Sequence, residues 1–221
     1  VRSDLFGTNL EATSAERFVL QNHKMLRVHL TGEVMARQGA MVAYQGQMDF
    51  AYQGAGGMGR FVKRALTGEG LPLMRVTGQG DLFLADDAAE IHLIHLEGDS
   101  VTVNGRNVLA FDPSLEWDIR RVEGASMLAG GLFNTVFTGH GSLAITSYGP
   151  PVVLNVDAPT FADAQSAIAW STSLQTSLKK SITAGALIGR GSGEAFQLAF
   201  AGQGFVLVQA SEGPPVARAT T

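Results

Sequence analysis

The sequence predicts an all-β fold built from three similar units of about 60 residues each. Three observations carry that reading. The first is a glycine motif that occurs three times, as Thr77-Gly78-Gln79-Gly80, Thr138-Gly139-His140-Gly141 and Ala201-Gly202-Gln203-Gly204. Its copies are spaced by 61 residues (78 to 139) and 63 (139 to 202). The second is the apolar alternation that enters and leaves each copy, with Leu82-Phe83-Leu84, Leu143-Ala144-Ile145 and Val206-Leu207-Val208 on the outgoing side. The third is composition. Only 16% of residues are charged and 27 are glycine, the balance of a chain of many strands and tight turns.

Taken in order, residues 1–22 hold one weak alternation around Phe18-Val19-Leu20 and read as a lead-in strand that closes against a later element. The first unit, 23–86, opens with Leu26, Val28 and Leu30 alternating with Arg27 and His29, the pattern of a half-buried strand. Thr31-Gly32-Glu33 reads as a turn, followed by strands at 41–44 and 48–52. The second unit, 87–149, repeats the order with Ile91-His92-Leu93-Ile94-His95-Leu96, a turn at Glu97-Gly98-Asp99, then Val108-Leu109-Ala110-Phe111 and the alternation of Leu115, Trp117 and Ile119. The third, 150–210, runs from Val152-Val153-Leu154-Asn155-Val156 through Asp157-Ala158-Pro159 to Ala167-Ile168-Ala169-Trp170 and Leu174, Thr176 and Leu178. Residues 211–221 are a tail. By itself, 164–179 fits an amphipathic helix, since Trp170, Leu174 and Leu178 recur every fourth residue. Alignment of the units predicts strands there instead. Ala43, Ala110 and Ala169 each precede an aromatic, and each stands five residues before Met48, Leu115 or Leu174. Four or five strands are expected per unit, within one compact domain. Gly78, Gly80, Gly139, Gly141, Gly202 and Gly204 are assigned as the turns between strands, because glycine adopts positive φ at least cost.

At 221 residues the chain is long enough to bury a substantial core unaided. A net charge of −4 offers no basic field to a phosphate backbone, which disfavours nucleic acid as a partner. Cysteine is absent, excluding disulfides, thiolate nucleophiles and Cys-ligated zinc. No apolar run approaches the roughly 20 residues of a membrane-spanning helix. Val1-Arg2-Ser3-Asp4 is not followed by a signal-peptide core, so a soluble, cytoplasmic protein is the expectation.

Three stretches occur in order at a specific spacing: Gln38-Gly39-Ala40-Met41-Val42-Ala43-Tyr44, Lys63-Arg64-Ala65-Leu66-Thr67-Gly68-Glu69-Gly70 and Gly130-Gly131-Leu132-Phe133-Asn134-Thr135-Val136-Phe137-Thr138-Gly139. Through them the chain, over about residues 20–210, resembles the family called altered inheritance of mitochondria protein 24. The bacterial members of that family are mostly proteins of unknown function. The resemblance implies three units, each similar to a subunit of the tryptophan RNA-binding attenuation protein, around a pseudo-threefold axis. It implies no catalytic residues, and it links the mitochondrial relatives with inner-membrane organisation.

The candidate chemistry is thin. Gly54-Ala55-Gly56-Gly57-Met58-Gly59 satisfies G-x-G-x-x-G between an expected strand and a short helix at 60–66. Such a helix of about two turns is too short for the crossover of a dinucleotide-binding unit, so a loop is the better reading. Gly189-Arg190-Gly191-Ser192-Gly193 runs straight into a strand and is weaker still. His92 and His95, three apart on a strand, face opposite sides and make no metal pair. His29, His95 and Asn155 hold equivalent places in the three units, which a threefold axis would set at equal radius but not necessarily near the axis. No G-x-S-x-G elbow or Ser-His-acid set is present. Asp86-Asp87 reads as a solvated pair of loop acids. What remains is a set of cations. Arg60, Lys63 and Arg64, then Arg120 and Arg121, then Lys179 and Lys180 follow the same strand of their respective units, an arrangement that would ring one end of the molecule.

The expected function is that of a non-enzymatic, soluble all-β scaffold or binding protein without a cofactor, acting through self-assembly as a homo-oligomer. Membrane or organelle organisation is the role that the mitochondrial relatives imply. The alternative is a module that binds an anionic ligand, such as a nucleic acid or a lipid headgroup at a membrane surface, through the basic ring. An enzyme with a site on the axis is the third reading.

Overall fold

The apolar alternation of the sequence becomes strands at nearly every place where it occurs. The computed structural model describes residues 2–52, 72–121, 133–180 and 196–211. A single helical turn, α1 (Leu5–Thr8), precedes β1 (Phe18–Asn22). Three long strands follow, β2 (Met25–Arg37), β3 (Met41–Tyr52) and β4 (Leu73–Leu84). Next come β5 (Glu90–Asn104), β6 (Val108–Phe111), β7 (Glu116–Arg121) and β8 (Phe133–Ser147). The chain continues through β9 (Val152–Val156), β10 (Thr160–Asp163), β11 (Ala167–Ser171), β12 (Gln175–Lys180), β13 (Phe196–Ala201) and β14 (Gly204–Val208). Leu26, Val28 and Leu30 of β2 are fully buried while His29 between them is exposed, as a period of two requires. Residues 164–179, open to a helical reading, form β11, a turn and most of β12. The reason is tertiary: β11 is hydrogen-bonded along both edges, to β5 and to β14, which fixes it as a strand.

One sheet of 11 strands follows the path β3-β4-β2-β6-β8-β5-β11-β14-β9, with β1 beside β2 and β7 beside β8. A second sheet has the order β10-β13-β12. In residues 25–84 the last strand, β4, lies between the first and second, β2 and β3. In 90–147, β8 lies between β5 on one side and β6 with β7 on the other. In 152–208, β14 lies between β9 and β11, and β13 lies between β10 and β12. The pairing shifts register at a matching place in each segment, between Met41 and Ala43, between Val108 and Ala110, and between Ala167 and Ala169, and once more between Glu97 and Asp99. Successive segments are joined edge to edge. The end of β2 meets β6, with Met35 opposite Phe111 and Ala36 opposite Ala110. The end of β5 meets β11, with Val103 opposite Ala169 and Thr102 opposite Trp170.

Of the lead-in, residues 18–22 form the strand, which closes against the later strand β2 in a hairpin where Asn22 Oδ1 accepts a 2.8 Å bond from the Lys24 amide. Several expectations need correction. The segments hold three, four and six strands among the described residues, rather than four or five each. Gly78 and Gly80 lie inside β4, and Gly139 and Gly141 inside β8, so they are not turns between strands. Gly32 and Gly98 likewise sit within β2 and β5. Only Gly202 falls between two strands, and Gly204 opens β14. The physical reason is that positive φ bends a strand without ending its ladder. Gly78 stands opposite Gly32 on one side and Met48 on the other, while Gly80 stands opposite Gly46, so the bend crosses three paired strands.

Three apolar clusters fill the space between the bent sheets. The first packs Leu30, Val76 and Leu82 and extends to Leu109 and Ala110. The second centres on Phe111, Phe137 and Leu143 and reaches Ile168 and Ala169. The third holds Trp170, Leu198 and Phe200. Edge-on ring pairs lock the last two, Phe111 with Phe137 at 4.9 Å and Trp170 with Phe200 at 5.4 Å.

Side chains at the strand ends clamp one segment to the next. Arg37 closes β2 and donates from Nε to the Val108 carbonyl at 2.9 Å, and from Nη2 to the carbonyls of Gly105 (3.3 Å) and Arg106. Its Nη1 lies 3.5 Å from Asp86 Oδ2. Asn104 closes β5 and donates to the carbonyls of Ala164 and Ala167 at 3.2 and 3.3 Å. Burial pulls the Arg37 pKa down and Asp86 opposes that shift, yet the guanidinium keeps its charge. Asp86 is therefore not the solvated acid that was expected. It is half-buried, because the Arg37 charge needs a counterion where water is scarce. Asp87 beside it is exposed.

Two substitution sets test this account. Arg37→Met should destabilise the fold by about 2–4 kcal/mol in urea melts, since it strips three carbonyls of their donor and orphans Asp86; a loss within experimental error would refute the clamp. A Cβ on Gly139 (φ +117) meets nothing nearer than 3.8 Å, so Gly139→Ala should cost only backbone strain, about 1–3 kcal/mol. A Cβ on Gly80 (φ +132) would lie 1.9 Å from the Gln45 carbonyl oxygen, so Gly80→Ala should cost clearly more. Equal losses in thermal melts would contradict the bent-strand reading.

Candidate interaction surface

The cations singled out in the sequence are placed unevenly. Arg60, Lys63 and Arg64 lie outside the described residues. Arg120 and Arg121 end β7 opposite Asn134 and Phe133 of β8, and Lys179 and Lys180 end β12 opposite Gln197 and Phe196 of β13. The two pairs thus hold the same register beside the incoming strand. Arg120 Nε is 3.3 Å from Asp118 Oδ2, and both side chains are exposed, so its field is partly cancelled. The Lys179 ammonium sits 4.8 Å above the Phe161 ring. The side chains of Arg121 and Lys180 fall outside the described residues, as do residues 54–59 and 189–193.

Three of the five histidines, His29, His92 and His95, have a local side-chain partner. His29 Nδ1 lies 2.9 Å from Asp81 Oδ1, and His95 Nδ1 lies 3.1 Å from Ser142 Oγ, in each case the residue directly opposite on the paired strand. Asn155 stands opposite Phe205. Among the described residues no group of three or more His, Cys, Asp or Glu could hold a metal ion. His92 Nε2 is 2.7 Å from Ser147 Oγ, which itself donates to the Gly149 carbonyl at 2.8 Å. The serine must therefore accept from Nε2–H, which fixes the histidine tautomer.

A different surface stands out: the unpaired strand edges. The residues 41–44 of β3 are exposed, with Met41, Val42 and Tyr44 between 38% and 50% accessible. The corresponding residues of β6 and of β11, which carry a neighbour on that edge, are entirely buried. β3 and β9 are the two ends of the long sheet, and β10 is an edge of the short one. Phe161 of β10 is 48% exposed, and Val152 and Val153 of β9 are exposed as well. An open groove of about 500 Å³ lies over the β3–β4 pair, lined by Tyr44, Gln47, Met48 and Asp49 with Gly78 and Gln79. A second, of about 470 Å³, crosses the face of the short sheet, lined by Phe161, Thr176, Lys179 and Phe200. Sequence reasoning did not find these edges. Tyr44, Phe111 and Trp170 are aromatics at matching places, and nothing local marks the first as exposed.

Residues 18–211 match the family described as Mitochondrial biogenesis AIM24. The chain belongs to this family. An X-ray structure of a Streptococcus pyogenes protein is similar to this AIM24-family chain, with a TM-score of 0.70 and 23% identity, covering 88% of this chain and 92% of that one. At that identity the likeness concerns the fold. No curated protein matches the chain. Among the described residues no helix is long and apolar enough to cross a membrane.

The half-buried His92 provides a pH test. Burial lowers the His92 pKa, with Glu90 opposing and His23 adding to the shift. A base whose folded pKa is depressed contributes stability that is complete above its ordinary value of 6.5 and lost as pH falls below it. Melting temperature should therefore drop more steeply from neutral to mildly acid pH in the wild type than in His92→Gln, which keeps a donor to Ser147. Parallel slopes in thermal melts across a pH series would refute this.

Proposed function

We propose that this protein is a non-enzymatic all-β scaffold or binding protein that acts by assembling with copies of itself. The observation that carries the reading is unequal burial at matching edges: 41–44 exposed, against complete burial of Val108–Phe111 and of Ala167, Ile168, Ala169 and Trp170. Natural proteins blunt free sheet edges with lysine, proline or a covering loop. The edge Met41-Val42-Ala43-Tyr44-Gln45 carries no charge and no proline, so a partner strand is the economical way to satisfy it.

In this reading the molecule is three copies of one unit, 23–86, 87–149 and 150–210, each similar to a subunit of the tryptophan RNA-binding attenuation protein and set about a pseudo-threefold axis. The recurring strand order and the three register shifts at Met41, Val108 and Ala167 support it. A cytoplasmic protein that helps organise a membrane or organelle is the role most in keeping with the family's description. The matched register of Arg120 with Lys179 favours the second reading, an anionic ligand or membrane surface held by a ring of basic residues. Light scattering over a dilution series into the micromolar range separates the two. A mass above one chain that falls on dilution is expected. A strict monomer throughout overturns the assembly reading and leaves the anionic-ligand one.

A further inference from the structure

We propose that the free edge of β10 in one copy pairs antiparallel with the free edge of β3 in a second copy, continuing head to tail the junction that joins successive segments within the chain. The inference rests on the self-assembly reading and deepens it by naming both surfaces and their register. Inside the chain the junction follows one rule. The end of a segment's first long strand pairs with the residues just past the register shift in the next segment, as β2 does with β6 and β5 with β11. The last segment has the donor edge, β10, and the first has the acceptor edge, β3, and neither edge is paired on that side among the described residues. They lie on different sheets, with β3 at the outer end of the long one. A threefold axis would close this junction within the chain, but Phe161 and Tyr44 are 48% and 46% exposed, so it stands open and a second copy is the occupant that fits.

The register follows from spacing. Ala36 stands five residues before Met41, Val103 five before Val108, and Ala162 five before Ala167. Ala36 pairs with Ala110 and Val103 with Ala169, the residues just past the register shift in β6 and β11. The residue just past the shift in β3 is Ala43. Ala162 of one copy should then face Ala43 of the next, and Phe161 should face Tyr44. In the two junctions within the chain the same places hold Met35 with Phe111 and Thr102 with Trp170, all at most 7% exposed. Phe161 and Tyr44 are 48% and 46% exposed. Each also lines one of the two open grooves.

The new junction lacks one part of the internal ones. Arg37 and Asn104 donate to the carbonyls of the following segment, but the residue in their place at the end of β10 is Asp163. Its carboxylate accepts from the amides of Gln165 (2.7 Å) and Ser166 (3.2 Å) and has no proton to give. The carbonyls of Gln38 and Met41 in the second copy are left without that donor. Contact between copies is thereby weaker than contact within the chain, which makes assembly reversible and dependent on concentration. Because the two surfaces differ, the contact is heterologous and closes into a ring or propagates as a filament.

The test uses Phe161→Glu and Tyr44→Glu in the full chain, with thermal melts to check folding. Each variant alone should be a monomer where the wild type is larger, since each loses one of the two edges. Mixed in equal amounts they should form a two-chain particle that does not grow, because each supplies the edge that the other lost. Asp163→Asn keeps the acceptor and adds a donor, as Asn104 does, so it should shift the association midpoint to a concentration about tenfold lower. It reads the same junction whether or not the glutamate variants fold. If folded variants assemble like the wild type, or their mixture stays monomeric, or Asp163→Asn leaves the midpoint unchanged, the head-to-tail junction is wrong while self-assembly stands. A wild type that is monomeric at every concentration sinks the assembly reading itself.

Discussion

The structure depends on edge-to-edge joins between the end of one long strand and a short strand that follows a change of register. β6 and β11 are only four and five residues long. Each is held from both sides, β6 by β2 and β8, β11 by β5 and β14. Arg37 and Asn104 add donors to backbone carbonyls that would otherwise be buried without a partner. The apolar clusters depend on the same joins. Leu109 and Ala110 complete the first, and Ile168 and Ala169 complete the second, so each is filled by residues delivered from the next segment.

Bent strands make this economical. β2, β4, β5 and β8 run for 12 to 15 residues through a glycine of positive φ, so that one strand serves two faces of the core. In 152–208 the corners are breaks instead, and six short strands do the work of three long ones. Both solutions reach the same order of pairing. A bend keeps its hydrogen bonds and needs glycine, whereas a break needs a turn such as that in which the Leu174 amide donates to the Ser171 carbonyl at 3.1 Å.

Function follows from what those joins leave over. A chain of three segments has two internal junctions and leaves over the edge of β10 at one end of the pattern and that of β3 at the other, where residues 41–45 carry no charge. The polar chemistry elsewhere is spent on structure: Arg37 on carbonyls, Asp86 on Arg37, His92 on Ser147 and His29 on Asp81. That distribution suits a protein whose work is contact with other surfaces. Membership of the AIM24 family agrees with an all-β architecture and leaves the partner to be identified by its chemistry.

The sequence by itself determined the strands, because alternation is local and a period of two puts Leu26, Val28 and Leu30 on one face whatever surrounds them. It also determined the spacing of the glycine motifs and the strand nature of 164–179, once Ala43, Ala110 and Ala169 were aligned. It did not reveal that Gly78 and Gly139 bend strands rather than end them. Positive φ serves a bend and a turn equally, and only a paired neighbour tells them apart. Nor did it mark Tyr44 as exposed while Phe111 and Trp170 are buried. All three are aromatics followed by similar patterns, and what separates them is whether a strand lies alongside. Tertiary structure alone decided that, because an edge is a property of the neighbour and not of the residue.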